Sequence, residues 1–199
     1  MLEARDITFR YGKGQPVIEG LSVAVGPDER VALVAPSGAG KTTLCRLLAG
    51  YEQPDSGSVL VDGEPLPVAG ACPVQLVGQH PEHAFDPRLT LGASLREAGS
   101  ANAALLERFG VQQRWLARYP RELSGGELQR LNLVRALTAA PRYLVVDEMT
   151  AMLDAITQAQ IWHELLAEAD RRAMGIVLTS HSPALTERVA TRVVRLASD

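Results

Sequence analysis

The run Ala35-Pro36-Ser37-Gly38-Ala39-Gly40-Lys41-Thr42 places two glycines, an ammonium and two hydroxyls between an apolar tetrapeptide and a helical pattern. In that context a glycine-rich turn cradles phosphate. Backbone N–H groups from Gly38 to Thr42 can surround a β-phosphate, Lys41 can reach the β- and γ-phosphates, and the Thr42 hydroxyl can ligate Mg²⁺. Thr43 would lie near an α-phosphate. One position departs from the usual loop, because Ala35 stands where a leading glycine is common. If that position needs a positive φ, alanine is strained there by about 1 kcal/mol or more; otherwise little changes.

Leu144-Val145-Val146-Asp147-Glu148 ends an apolar run in two adjacent carboxylates. Burying such a strand presents both at its C-terminal edge, where open α/β sheets bind ligands. Asp147 can hold a Mg²⁺-bound water, and Glu148 can orient or deprotonate a water attacking a γ-phosphate. A third stretch, Leu123-Ser124-Gly125-Gly126-Glu127-Leu128-Gln129-Arg130, has the Ser-x-x-Glu spacing of a capping box. Its two glycines leave backbone donors uncovered at a helix start, which carries positive partial charge and suits an anion.

The elements that must position these groups follow from periodicity. Ile7, Phe9 and Tyr11 alternate with polar residues, as do Leu21, Val23 and Val25, which predicts two half-buried antiparallel strands. Val31 to Val34, Gln75 to Val77, Tyr143 to Val146, Ile176 to Thr179 and Val193 to Leu196 read as strands of a parallel core. Helical patterns over Lys41 to Ala49, Leu128 to Ala140 and Ile156 to Arg172 separate several of them, with Gly50 and Gly175 as stop signals. The result is α/β alternation. Between Gln79 and Ser124 the strand signal disappears, and Leu95, Ala98, Leu105, Leu106, Phe109 and Leu116 predict an inserted lobe of short helices.

With 199 residues, 46% of them hydrophobic, the chain can bury one substantial core and a small lobe. A net charge of -3 advertises no basic surface for nucleic acid or anionic lipid. Cys45 and Cys72 lack metal-ligand spacing. No apolar signal core or bilayer-length run is present, so membrane association is expected to come through another protein.

Together with the phosphate loop and the acidic pair, Leu123 to Arg130 resembles the signature sequence of the ATP-binding-cassette ATPases, and the resemblance covers essentially the whole chain. It implies a P-loop NTPase (RecA-like) fold with a mainly parallel sheet core, an N-terminal antiparallel β part and an inserted α-helical subdomain. The single ATPase domain would span 1–199, with the core at about 1–79 and 130–199 and the helical subdomain at about 80–129. In that family pattern Tyr11 matches the aromatic that stacks on adenine, and Pro36 to Thr43 match the ATP-binding loop. Gln79 matches the glutamine that contacts Mg²⁺ and the attacking water, Asp147 the Mg²⁺ aspartate, and Glu148 and His181 the catalytic glutamate and the histidine that senses the γ-phosphate. Asp154 matches the loop coupling two sites of a dimer. Ser124, Gly125 and Gly126 then become a half-site offered to the ATP of a partner cassette.

The stretch from Gln79 to Arg88 looks like the peptide and nickel importer branch, although Met149 stands where proline is more common. His80, His83 and His163 are read as solvated or packed rather than metal-binding. The resemblance implies an ATP-binding and hydrolysing subunit that energises an importer of peptides, nickel or a related small solute. It would sit at the cytoplasmic face of the cell membrane. Implied partners are a second ATPase subunit, identical or not, transmembrane permease subunits and an extracytoplasmic solute-binding protein, with no nucleic acid. Two alternatives stay open: a poorly hydrolysing regulatory cassette, which only Ala35 favours, and a soluble cassette ATPase outside transport.

Overall fold

The structure, a computed structural model, describes residues 1–99 and 103–196; residues 100–102 of the expected helical lobe lie outside that range. The first two strands are β1 (Leu2–Phe9) and β2 (Ile18–Val25), antiparallel with Leu2 opposite Val25 and Phe9 opposite Ile18. Tyr11 shares the alternation of Ile7 and Phe9 but lies beyond β1, where the chain bends. The phosphate loop joins β3 (Arg30–Val34) to α1 (Lys41–Leu48). Two strands absent from the sequence reading, β4 (Ser56–Val61) and β5 (Glu64–Pro65), complete an antiparallel sheet of order β2-β1-β4-β5. Val59-Leu60-Val61 is too short a run after Ser56-Gly57-Ser58 to announce a strand by itself.

The second sheet contains β3, β6 (Val74–Val77), β7 (Tyr143–Asp147), β8 (Gly175–Thr179) and β9 (Arg192–Arg195), all parallel, in the order β6-β7-β8-β3-β9. Side chains of a strand alternate between faces, and here each face feeds a different core. Val31, Leu33, Tyr143, Val145 and Val177 pack toward β1 and the α1 residues Leu44, Leu47 and Leu48. Ala32, Leu144, Val146, Ile176 and Leu178 pack on the opposite side. There they meet Leu131, Leu133 and Val134 of α4 (Gly125–Thr138) and Ile161, Trp162 and Leu165 of α5 (Ala155–Arg172). All five residues of β7 are buried, as expected for a strand covered on both faces.

Between β6 and α4 the chain forms α2 (Leu91–Glu97), α3 (Ala103–Arg108) and 3₁₀ turns at Pro81–Ala84, Gln113–Ala117 and Pro120–Glu122. Leu95, Leu105, Phe109 and Trp115 bury this segment into the α4–α5 side of the core. The buried Glu168 carboxylate of α5 ties the same side together. It accepts from Arg108 of α3 at 2.6 Å, from Arg172 and from Arg171, while Arg172 also donates to the Leu137 carbonyl of α4 at 2.8 Å. Burial alone would raise the Glu168 pKa, but the Arg171 hydrogen bond and the Arg172 charge outweigh it, and the carboxyl lies below its ordinary value.

Gly175, expected as a helix stop, is instead the first residue of β8, and α5 ends on Ala173 in a left-handed conformation (φ 51, ψ 44). The glycine answers to packing, since a Cβ there would lie 2.6 Å from the Tyr143 ring. A final short helix, α6 (Pro183–Val189), also lay outside the sequence reading.

Candidate functional site

The buried β3 delivers the chain to a loop whose positive φ values fall on Gly38 and Gly40, both 82°. Gly40 is the residue before α1, and a Cβ on it would meet the Val17 carbonyl at 3.0 Å. Ala35 has no positive φ, so the loop's missing first glycine introduces no left-handed strain. Ala39 N–H donates to the Pro36 carbonyl at 3.3 Å, closing the turn that Ser37 and Gly38 occupy. Lys41 is only 8% exposed, and its Nζ donates to the carbonyls of Ala35 (2.9 Å) and Pro36 (3.0 Å). These bonds hold the ammonium over the loop, where it can exchange carbonyl oxygens for the stronger charge-assisted contact of a phosphate.

At the same edge of the sheet, β7 and β8 are in register with Asp147 beside Thr179. The Thr179 hydroxyl donates to Asp147 Oδ1 at 2.6 Å, which orients the carboxylate and leaves Oδ2 for a cation. Glu148 adopts φ 51, and its backbone N–H donates to the Thr179 carbonyl (3.3 Å) and hydroxyl (3.1 Å). This turn swings the Glu148 side chain to His181, whose Nε2 lies 2.7 Å from Glu148 Oε1. The carboxylate is mostly enclosed (17% exposed) and the imidazole is open (59%), so the pair has a solvent-facing side on which a ligand could sit.

These groups share one cleft of about 390 Å³, lined by Tyr11, Val17, Ser37, Gly38, Gly40, Lys41, Thr42, Thr43, Glu148 and His181. Tyr11 stands edge-on to Phe9, ring centroids 4.9 Å apart, and its hydroxyl shares a hydrogen bond with Thr43 Oγ1 at 3.3 Å. A second cavity of about 460 Å³ meets the first at Thr42 and brings that hydroxyl together with Gln79 and Asp147. Hydroxyl, amide carbonyl and carboxylate are hard oxygen donors, a set that fits Mg²⁺ shared with phosphate oxygens. His80 and His83 border the same cavity with rings 5.5 Å apart, and His80 Nδ1 lies 3.2 Å from Glu82.

Ser124, Gly125 and Gly126 line neither cavity. Ser124 caps α4: its hydroxyl accepts from Glu127 N–H at 3.4 Å, and the Glu127 carboxylate accepts from Ser124 N–H at 2.9 Å. Both residues satisfy local donors, while Gly125 has open space where a side chain would project. Gly126 is near Leu153 and Thr157, on either side of the Asp154 cap of α5. Asp154 accepts from Ile156 and Thr157 N–H, each at 3.0 Å, and hydrogen bonds from Thr157 hold its carboxyl below the usual range.

Two contributors escaped the sequence reading. Thr179 anchors both Asp147 and Glu148, and its only signal was a hydroxyl ending an apolar strand. Val17 lines the nucleotide-sized cleft, and nothing in its sequence context separates it from a strand residue.

A family model for ABC transporters matches residues 18–151. The nickel import system ATP-binding protein NikE of Staphylococcus aureus (strain bovine RF122 / ET3-1) is 32% identical over 210 aligned positions, covering 98% of this chain and 86% of that protein. A solved ATP-binding subunit of an ABC transporter superposes with a TM-score of 0.83 at 26% identity, covering 98% of this chain and 85% of the other. The cassette MJ0796, in a dimeric post-hydrolysis state with ADP and Pi, also superposes at 0.83 over 98% of this chain and 94% of its own; at 20% identity that likeness concerns the fold alone. The parallel sheet and phosphate loop of this chain are those of a P-loop ATPase, and the chain belongs to the ABC transporter family as one of its ATPase cassettes.

Proposed function

We propose that this cassette hydrolyses Mg²⁺-ATP between its own phosphate loop and the Ser124-Gly125-Gly126 helix start of a second cassette, and thereby drives a membrane importer. The observation that carries the reading is a division of labour. Lys41, Glu148 and His181 meet in one cleft, whereas the anion-suited start of α4 lies outside it with Gly125 open.

In that cleft the adenine would stack on Tyr11, the α-phosphate would lie near Thr43, and backbone N–H groups of the loop from Gly38 to Thr42 would surround the β-phosphate. Lys41 would move from its two carbonyls to the β- and γ-phosphates. Thr42, Gln79 and Asp147 would hold Mg²⁺, which supplies charge neutralisation for the phosphates when bound. Glu148 would accept a proton from a water whose oxygen bonds to the γ-phosphorus as the bridging bond to ADP breaks. His181 would hold the Glu148 carboxylate and contact the γ-phosphate, and Gln79 would orient the water. Binding of ATP by both half-sites favours the closed dimer, and loss of the γ-phosphate releases it.

The nickel import relative supports an importer, with peptides, nickel or a related small solute as the cargo class. The cassette would then work at the cytoplasmic face of a membrane, beside permease subunits and an extracytoplasmic solute-binding protein. No helix among the described residues is long and apolar enough to cross a membrane, so attachment through such subunits fits. The single ATPase unit would span 1–199, with a core at about 1–79 and 130–199 and a helical part at about 80–129; α4 (Gly125–Thr138) runs across the second boundary, and the helical part shares a buried cluster with α4 and α5. Glu148→Gln is expected to lower ATP turnover by roughly a hundredfold or more while ATP binding persists. An unchanged turnover rate would remove Glu148 from the mechanism.

A further inference from the structure

Glu148 is held in place from both sides. Upstream, Thr179 receives its backbone N–H. Downstream, Ala151 N–H donates to the Glu148 carbonyl at 3.0 Å, and Leu153 N–H donates to the Thr150 carbonyl at 3.2 Å, forming two consecutive turns. Thr150 sits where these turns join and is 4% exposed. Its Oγ1 accepts two hydrogen bonds from α5, one from Gln158 Nε2 at 2.7 Å and one from Trp162 Nε1 at 3.2 Å. Gln158 and Trp162 are four residues apart and so lie on one helix face.

None of these three side chains lines the nucleotide cleft. They border a separate cavity of about 310 Å³ that shares Glu148 and His181 with that cleft. The Glu148 φ of 51 is uncommon for a residue with a side chain, and such a conformation persists where its surroundings over-determine it. With the Cα of Thr150 no more than about 7 Å from that of Glu148, a fixed Thr150 constrains the direction in which the carboxylate leaves the backbone.

We propose that Thr150, clamped by Gln158 and Trp162, is a positioning residue that holds the Glu148 turn and aims its carboxylate at the nucleotide cleft. This role rests on the reading of Glu148 as the proton acceptor. Thr150→Val keeps the side-chain shape and removes the acceptor oxygen. In the full chain its kcat is expected to fall ten- to a hundredfold, roughly, the scale of a misplaced catalytic group. The KM for ATP should stay within about twofold, since the binding loop is untouched. Thr150→Ser should restore most of kcat.

Thr150→Val also strands a buried donor on Trp162 and a half-buried one on Gln158, so loss of stability has to be separated from loss of aim. The triple variant Thr150→Val, Gln158→Met, Trp162→Phe removes the donors with the acceptor. A kcat that stays low after the melting temperature has recovered supports positioning, whereas a kcat that recovers with it overturns the role. An unchanged kcat in Thr150→Val overturns it as well. Glu148→Gln measured in parallel distinguishes the failures: turnover surviving that change defeats the assignment of the base, while turnover lost there but retained in Thr150→Val defeats the clamp alone.

Discussion

Two helix starts in this molecule suit an anion, and they are built differently. The start of α1 follows a strand buried in the sheet, has left-handed glycines at 38 and 40, and lies under a lysine that is nearly enclosed. It opens into a cleft shared with Glu148 and His181. The start of α4 has no lysine and lines neither cavity at the phosphate loop. Its Ser124–Glu127 capping box makes it self-sufficient as a helix end, and Gly125 has open space where a side chain would project. The contrast teaches that donor-rich backbone alone does not make an enclosed anion cleft: a buried ammonium, surrounding walls and a nearby carboxylate distinguish the first from the second.

The strongest test of this difference sets Lys41→Ala against Ser124→Arg. Lys41→Ala should weaken ATP binding by the monomer roughly a hundredfold, the loss of a charged hydrogen-bonding group worth about 2 to 3 kcal/mol. Ser124→Arg should leave that affinity nearly intact and abolish nucleotide-driven self-association, read by equilibrium binding and analytical ultracentrifugation. Equal loss of monomer binding in both variants would place the two helix starts in the same site and break the comparison.

A smaller effect concerns what holds α4 in place. The Glu168 cluster joins α3, α4 and α5, and among the described residues no such cluster ties α1. Because the folded Glu168 pKa is lowered, its stabilising contribution is full above the ordinary carboxyl value of 4.5 and is lost as pH falls through the lower folded value. Glu168→Gln is expected to cost about 2 kcal/mol at neutral pH. It should also flatten the decline in melting temperature on acidification below that value. Hydrogen exchange should show α3 and α4 amides losing protection before those of α1.

The smallest effect is the cap itself. Ser124→Ala should cost about 1 kcal/mol, confined to the first turn of α4, with monomer binding of ATP unchanged. A larger, global drop in stability would mean that this helix start supports the core rather than standing apart from it.

Much of this was legible in residue types. Apolar runs at 31–34, 143–146 and 176–179 announce buried strands of the parallel sheet, and the last two end in Asp147 and Thr179 at the sheet edge where the cleft forms. Asp147 and Glu148 are readable because two carboxylates follow an apolar strand, and Lys41 because it follows a glycine-rich loop and opens a helix. Thr179 and the Thr150–Gln158–Trp162 bonds were not, because their meaning comes from strand register and from a helix packed across the chain. Gly175 misled for a related reason. Its sequence context matched a helix stop, while the demand that selects glycine is the Tyr143 ring on the neighbouring strand.

Ala35 carries a further consequence. A phosphate loop is usually recognised by a spelling, with glycine in the leading place, but the backbone at that place has no need of one here. What the fold prescribes is a set of dihedral angles and two carbonyl oxygens for Lys41 to lean on, and alanine and proline provide the carbonyls as well as any residue. The alphabet of such a loop is wider than its consensus at one end and fixed at the other, where Gly40 meets Val17. A side chain in the first place meets no left-handed strain, while one at Gly40 would press on Val17 in the wall of the cleft.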